Sequence, residues 1–376
     1  MNTREPLFRV VKREGGSPMR RAASYLAAIL VALLIGTILL TVLGVPAGEY
    51  YRSMITMGIL DSRYPFKQVE GFVRLFVPLL LTSLALSLAF KMRFWNIGGE
   101  GQFIMGAIAG SVVALKLGDS LPKPAVLLLM SLCGLLAGGL YGTLAAWLKV
   151  RFGTNETLLT LMLNYIALYL LQFFAETKAP WNFFLSPESE RPKFQKFPEG
   201  GQMITIDVGG FRLNLTLVIA AAICVLIFVY LKRTKQGYEI AVVGDSPSTA
   251  KYAGMKVGKI VIRTIFLSAA LIGLSGAFYV SSAGILSASV TNDVGWTGII
   301  VAWLAQLNTI GIVVASLLIT VLRFGSQAAS AGYSTVDANF ADLLQGIILF
   351  TVLAADFFTR FKLVRGSGKP AGEVSK

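Results

Sequence analysis

The sequence predicts an all-α integral membrane protein of about ten transmembrane segments, with broken helices and a short helix exposed to the cytosol. Three observations carry that prediction. Of the 376 residues, 55% are hydrophobic and only 14% charged, and the mean hydropathy is +0.68. A soluble domain does not have that balance. The apolar residues fall in runs close to the roughly 20 that a helix needs to cross a bilayer. The 34 Lys and Arg gather in alternate loops, as expected where basic segments stay in the cytoplasm.

The chain opens on a basic tail, 1–21, with six Lys/Arg against two acids. A span follows at 22–43. It has the length of a full crossing and no small-residue cleavage site, so an uncleaved helix is expected. The loop 44–71 balances three bases with three acids, which suits the outer side. Spans at 72–90 and 97–115 are joined through Lys91 and Arg93. Pro122 and Pro124 punctuate the turn into a span at 125–148, which carries Gly134, Gly138, Gly139 and Gly142 and leaves at Lys149 and Arg151. The span 157–175 leads to the longest loop, 176–212. Its five bases and five acids place it outside, and its VGGFRLNL end reads as a short hairpin lid.

A span at 215–231, the basic loop 232–263 and a span at 264–283 come next. Two short apolar stretches, 296–307 and 309–322, are broken at Asn308. Each falls short of the roughly 20 residues of an upright span. Counted as two crossings, they give ten segments with both termini inside. The last span is 340–358, and the tail 359–376 has five bases and one acid. On this count the inner segments total +16 and the outer loops are close to neutral. The membrane domain is thus expected at 22–358, with a cytoplasmic tail at each end.

Several function classes are excluded. The net charge of +14 is spread over alternating loops rather than one aromatic-laced face, which argues against nucleic acid. There is no histidine, so neither a His-based proton relay nor a His-bearing metal site is available. Cys133 and Cys224 lie within apolar runs and read as inert small hydrophobes. No G-x-x-x-x-G-K-[ST] occurs, so the chain has no phosphate-cradling loop of that kind. It reads as no enzyme and as holding no metal or cofactor of its own.

Two polar stretches stand out. The loop 232–263 holds seven bases against two acids. Within it, Gly244-Asp245-Ser246-Pro247 reads as a helix start, since Asp or Ser caps free N–H groups and Pro is tolerated in the first turn. Gly254 ends that helix after about two turns. A short cytosolic helix between spans can dock into a partner's groove. The second stretch, Asn96-Ile97-Gly98-Gly99-Glu100-Gly101-Gln102, opens a span. Its glycines permit close packing. Glu100 is read either as a charge complementing the helix dipole or as a functional intramembrane acid. Asn155 and Glu156 repeat that logic at the next inner start. Deeper polar and aromatic groups, Phe103, Asn164, Trp303, Gln306 and Asn308 with Gln172 and Gln345, suit a path for a neutral, polar, partly flat solute.

The segments RFWNIGGEGQFIMGAIAG (93–110), GTNETLLTLMLNYIA (153–167), GDSPSTAKYAGMKVGK (244–259) and WTGIIVAWLAQLNTIGIVVASLLI (296–319) resemble the permease subunits of bacterial ATP-binding-cassette importers. The group is the one that handles ribose, branched-chain amino acids and nucleosides. The likeness points most to its nucleoside and simple-sugar permeases. It implies that the short cytosolic helix is a coupling helix, meeting an ATPase through Gly244, Asp245, Ser246, Pro247, Ala250, Tyr252, Ala253 and Gly254. The family usually shows Asn where this chain has Asp245. It implies ATP and Mg bound by that separate ATPase, a second, paralogous permease in a heterodimer, and an external substrate-binding lipoprotein. A bacterial inner-membrane location follows, with a nucleoside moved by alternating access through Asn96, Glu100, Gln102, Phe103, Asn155, Glu156, Asn164, Trp303, Gln306 and Asn308. A simple sugar, riboflavin or another small metabolite is the alternative solute. A lone secondary transporter is disfavoured by the missing histidine and the scarcity of mid-span acids.

Overall fold

The computed structural model describes residues 8–12, 18–56, 65–208, 211–333, 335–336 and 339–365. The rest of the two expected cytoplasmic tails and part of the loop 44–71 lie outside the described residues. Packing separates two compact units, residues 1–55 with 325–376 and residues 56–324.

In the first unit, helix α1 (Pro18–Val42) packs on α13 (Asn339–Arg360), and the short α2 (Ala47–Thr56) supplies buried Tyr50 and Met54. The Tyr50 ring meets Phe340 edge-on at 5.5 Å, and its hydroxyl bonds the Ser326 hydroxyl. Strands β1 (Phe8–Lys12) and β4 (Phe361–Arg365) pair antiparallel, Phe8 opposite Arg365 and Lys12 opposite Phe361. α2 is a helix within the loop expected at 44–71. Its polar and apolar residues alternate with helical period, which a search for long apolar runs passes over.

The second unit is built on α3 (Pro65–Lys91), α4 (Gly99–Leu117), α5 (Lys123–Phe152) and α10 (Val257–Ala283). Without a hydrophobic drive between helices in lipid, close backbone approach and interhelical hydrogen bonds do the packing. Glycine makes that approach possible here: a Cβ on Gly106 of α4 would lie 2.0 Å from the Gly273 carbonyl oxygen of α10. Ser268 and Ser275 of α10 donate to the carbonyls of Ala85 and Pro78 on α3, at 2.7 and 3.2 Å. α6 (Glu156–Glu176) lies against α4, and α7 (Leu215–Arg233) against α3.

The two ends of this bundle differ. At one end, α8 (Lys235–Asp245) and α9 (Pro247–Tyr252) lie on the C-terminal end of α3, with Met92, Phe94, Ile240 and Val243 in one buried cluster. At the other, residues 177–208 and 211–214 fold over the ends of α4 and α10. The Phe197 and Met203 amides donate to the carbonyls of Gly284 and Ser281, at 2.8 and 3.0 Å. The lid expected from VGGFRLNL is the hairpin of β2 (Thr205–Val208) and β3 (Phe211–Asn214).

Among the described residues nine helices are long and apolar enough to cross a membrane, and α11 (Val294–Leu304) is a shorter apolar helix. α11 has 11 residues. α12, at Thr309–Ser330, has 22 residues and so reaches the length of an upright span, correcting the short 309–322 stretch. With α11, the apolar helices among the described residues number ten. Residues 285–304 run between the two ends of the second unit. They leave the covered end of α10 at Gly284 (φ +68°), pass the buried Leu286 and Val290, and reach Trp303. Trp303 stacks on Trp95 at the opposite end. α8 and the first two turns of α10 are further helices where a basic loop was expected.

The glycine crossing gives a direct test. Replacing Gly106 with Ala should cost about 1–3 kcal/mol of stability through overpacking, and with Val should abolish monodisperse protein on size exclusion. The control is Gly48→Ala, where a Cβ meets nothing within 4 Å, and it should leave the elution profile unchanged.

Candidate functional site

The segment after α7 is more ordered than a solvated basic loop. Thr234 caps α8, its hydroxyl accepting from the Gly237 amide at 3.2 Å. α8 ends at Asp245, and the chain turns at Ser246, whose hydroxyl accepts from the Thr249 amide at 3.2 Å and starts α9. Of the two residues able to cap, Ser246 does so, and Asp245 closes the preceding helix. The far end is closed by Gly254 at φ +75°. There the Gly254 amide donates to the Lys251 carbonyl and the Met255 amide to the Ala250 carbonyl, both at 3.0 Å. This is a left-handed glycine stop that satisfies the last carbonyls. The Arg263 guanidinium pairs with Glu239 at 2.9 Å, tying α8 to α10.

The side chains divide by face. Tyr252 is 93% exposed, and Pro247, Ser248, Thr249, Lys251, Ala253 and Gly254 are also exposed. Ala250 and Gly244, expected on the outer face, turn inward. Ala250 is fully buried in the cluster with Met92, Phe94 and Ile260. A Cβ on Gly244 would lie 2.0 Å from the Lys91 carbonyl oxygen. The six-residue α9 gives one side to the bundle through the small Ala250, and α8 makes its own close approach to the end of α3 through Gly244.

The Asn96–Gln102 stretch forms a buried knot where α4, α6 and α11 meet. Asn96 and Gln102 join through both amides, at 3.1 and 2.9 Å. Asn164 of α6 accepts from the Gly101 amide at 2.8 Å and donates to the Ile97 carbonyl at 2.7 Å. Thr160 accepts from the Ile97 amide at 3.2 Å. The Glu100 carboxylate accepts from the Gly295 amide at 2.7 Å and the Trp296 amide at 3.3 Å. Asp293, the residue before α11, is in the left-handed region and makes no side-chain cap. Glu100 therefore caps α11 from another helix. The approach is close enough that a Cβ on Gly295 would meet the Glu100 amide nitrogen at 2.4 Å.

The residues expected along the path are placed as follows. Asn96, Glu100, Gln102 and Asn164 are buried and spend their hydrogen bonds on one another and on backbone. Phe103 is fully buried, with its ring 6.0 Å from Tyr279. Asn155 caps α6, accepting from the Thr157 and Leu158 amides at 3.0 and 3.2 Å, and Glu156 pairs with Lys149. Asn308 accepts from the Ile310 amide at 3.0 Å at the start of α12, after Gln306 and Leu307 at positive φ. Trp303 is half-exposed and stacks on Trp95 with centroids 5.4 Å apart. The Trp95 partner and the Glu100–α11 bond carry no local sequence signal, because both join residues about 200 positions apart.

The knot makes a specific prediction. Glu100→Ala leaves the buried Gly295 amide and the part-buried Trp296 amide without an acceptor, at about 1–3 kcal/mol, and thermal unfolding of the purified protein in detergent should show a clear drop in midpoint. Glu100→Gln keeps a carbonyl acceptor and should fall less. An unchanged midpoint in Glu100→Ala would mean that α11 finds its acceptors elsewhere.

The sequence is similar to those of known transporter permeases. The family described as branched-chain amino acid transport system / permease component matches residues 68–353. The glucose ABC transporter permease of Haloferax volcanii is 28% identical over 373 residues, covering 94% of this chain and 96% of its own. The guanosine ABC transporter permease of Bacillus subtilis is 29% identical over 357 residues, covering 92% and 96%. A nucleoside ABC transporter permease of Lactococcus lactis is 26% identical over 363 residues, covering 95% and 97%. The match takes in every helix from α3 to α12, with the short capped helix and the glycine-lined bundle, and the chain belongs to the branched-chain amino acid transport system permease family.

Proposed function

We propose that this chain is the membrane-spanning subunit of an ATP-driven importer and forms half of the path for a nucleoside. The observation that carries the proposal is α9. It is a capped, glycine-stopped helix of six residues, seated on the bundle through Ala250 and presenting Tyr252 almost wholly to solvent. An exposed tyrosine on a stiff support is the kind of side chain that anchors an interface. On this reading a separate ATPase receives α9 and binds ATP and Mg. A second permease, paralogous to this one, completes the path, and an external lipoprotein delivers the solute. Closure of the ATPase pair moves the two α9 helices, and the bundle exchanges outward and inward openings.

The nucleoside reading is supported by relatives named for guanosine and for nucleosides at 26–29% identity across most of the chain. A glucose permease matches at 28%, so a simple sugar is the second reading. The end bearing α8 and α9 is the cytoplasmic one, in a bacterial inner membrane, because the basic residues collect there.

Tyr252→Glu should leave membrane abundance near wild type and weaken recovery of the ATPase with the permease by at least about tenfold, the scale of an interface anchor. Uptake should fall with it. Ala250→Glu should instead lower the abundance of the permease itself, since Ala250 packs within its own chain. Normal ATPase recovery in Tyr252→Glu would remove α9 from the interface. For sidedness, a cysteine at Ser248 should resist impermeant thiol reagents in intact cells while one at Ser189 reacts. Reaction at Ser248 would invert the orientation.

A further inference from the structure

α6 has two polar faces, and only one is used within the chain. Asn164 points inward to the knot. On the exposed side, Tyr165, Tyr169, Gln172 and Phe173 follow one another at helical spacing, with Tyr165 and Tyr169 52% and 63% exposed. At 1.5 Å per residue, Tyr165 lies about 14 Å and Tyr169 about 20 Å along a helix of about 30 Å. Tyr165 is thus too deep for the interfacial belt where membrane tyrosines usually sit. Among the described residues neither hydroxyl, nor the Gln172 amide, has a hydrogen-bond partner. Hydrocarbon offers none, and a polar group left unsatisfied there is costly.

The other spans show what a lipid-facing surface looks like in this protein. The exposed mid-helix side chains of α5, α7 and α12 are aliphatic, as at Leu136, Leu140, Leu226 and Leu318. Tyr141 of α5, a mid-span tyrosine, donates to the Leu163 carbonyl at 2.7 Å. The α6 face is also unlike a helix-packing surface, which is rich in small residues. Every exposed hydrophobic on it is large, from Leu158 and Met162 to Phe173. It continues into the segment covering the bundle end, where the half-exposed Trp181 stacks on Phe173 with centroids 5.7 Å apart and planes 20° apart.

We propose that this face of α6 lines the solute path, an aromatic ladder running from Trp181 and Phe173 to Tyr169 and Tyr165. The ring faces stack on a flat solute. The two hydroxyls and the Gln172 amide, each able to donate and accept, exchange hydrogen bonds with its polar edge. The ladder descends from the end covered by residues 177–208 to the middle of the span. The location follows from the face itself. The flat solute rests on the nucleoside reading.

The test uses the assembled transporter in cells, with Cys133 and Cys224 replaced by Ala. Single cysteines are placed at Tyr165, Tyr169 and Gln172, with Leu136→Cys and Leu140→Cys as lipid-facing controls. A small charged methanethiosulfonate reagent is added from outside. Reaction at the three α6 positions should be at least about tenfold faster than at the controls, because the reactive thiolate forms in water. Added guanosine or uridine should slow it. Protection by glucose but not by either nucleoside keeps the location and removes the nucleoside reading. Rates equal to the controls overturn the proposal, as do disulfides between two permease copies at these positions without aqueous reaction. In parallel, Tyr169→Phe keeps the ring and loses the hydroxyl. It should raise KM for guanosine uptake several-fold at unchanged abundance, and an unchanged KM removes the hydroxyl from the site.

Discussion

The bond between Glu100 and the start of α11 is the constraint on which the rest of the bundle turns. A helix that begins inside the hydrocarbon leaves its first amides without partners, and the bilayer supplies none. α11 begins there because residues 285–293 descend from the covered end of α10 before a helix forms. Its own preceding residue, Asp293, is turned away in the left-handed region. The acceptor has to come from another helix, and Glu100 provides it from the first turn of α4. An acid at that depth is costly by itself. Beside two amides at a helix N-terminus it is stabilised by both hydrogen bonds and dipole. The broken crossing and the buried acid each make the other tolerable.

That bond sets requirements on its surroundings. For Glu100 to reach Gly295, the backbones of α4 and α11 must nearly touch. Both contact positions, Gly99 and Gly295, are glycine, and a Cβ on Gly99 would lie 3.2 Å from the Gly295 Cα. The non-helical turn before α4 must also be held. The Asn96–Gln102 amide pair, Thr160 and Asn164 hold it, occupying polar groups of that turn with buried partners. α6 is drawn into the same network through Asn164. The Arg323 guanidinium of α12 steadies the approach to α11 from the other side, donating to the Asn292 carbonyl at 2.7 Å. Three helices and one broken crossing are thereby fixed to one another by a handful of directed bonds.

Much of this was legible in the sequence, and the division has a physical basis. Span positions, the ten crossings, the Ser246 start and the Gly254 stop depend on local composition or on neighbours within a few residues. They could be read directly. What α6 and α11 do depends on partners about 60 to 200 positions away, and single residues carry no mark of that. Asn164 was recognisable as unusual in an apolar run, but an amide facing a pore and an amide tying two helices look alike in sequence. Ala250 shows the same limit from the other side. Its small size fitted an intermolecular cleft, and the structure uses that size to seat α9 on its own bundle. The tyrosines of α6 were passed over because tyrosine counts as apolar in a span. Only the absence of a partner in the folded chain distinguishes them.

The two faces of α6 give the knot a role beyond stability. Asn164 and Tyr165 are adjacent, so one side of a single turn is bonded to the α4 start while the other is the deepest rung of the exposed ladder. A helix turn is rigid over that distance, and any shift of α4 relative to α6 must carry Tyr165 with it or break the bonds of Asn164 to Gly101 and Ile97. Just before the knot, at the C-terminal end of α3, the same bundle supports α9 through Met92, Phe94 and Ala250. The turn that follows Phe94 is the one that Asn96 and Gln102 close. A short chain of packed and hydrogen-bonded residues joins α9 to the ladder proposed on α6: α9, the turn at 92–98, the α4 start and Asn164. On the proposed reading, this contiguous chain would be the physical link between the end bearing α9 and the middle of α6.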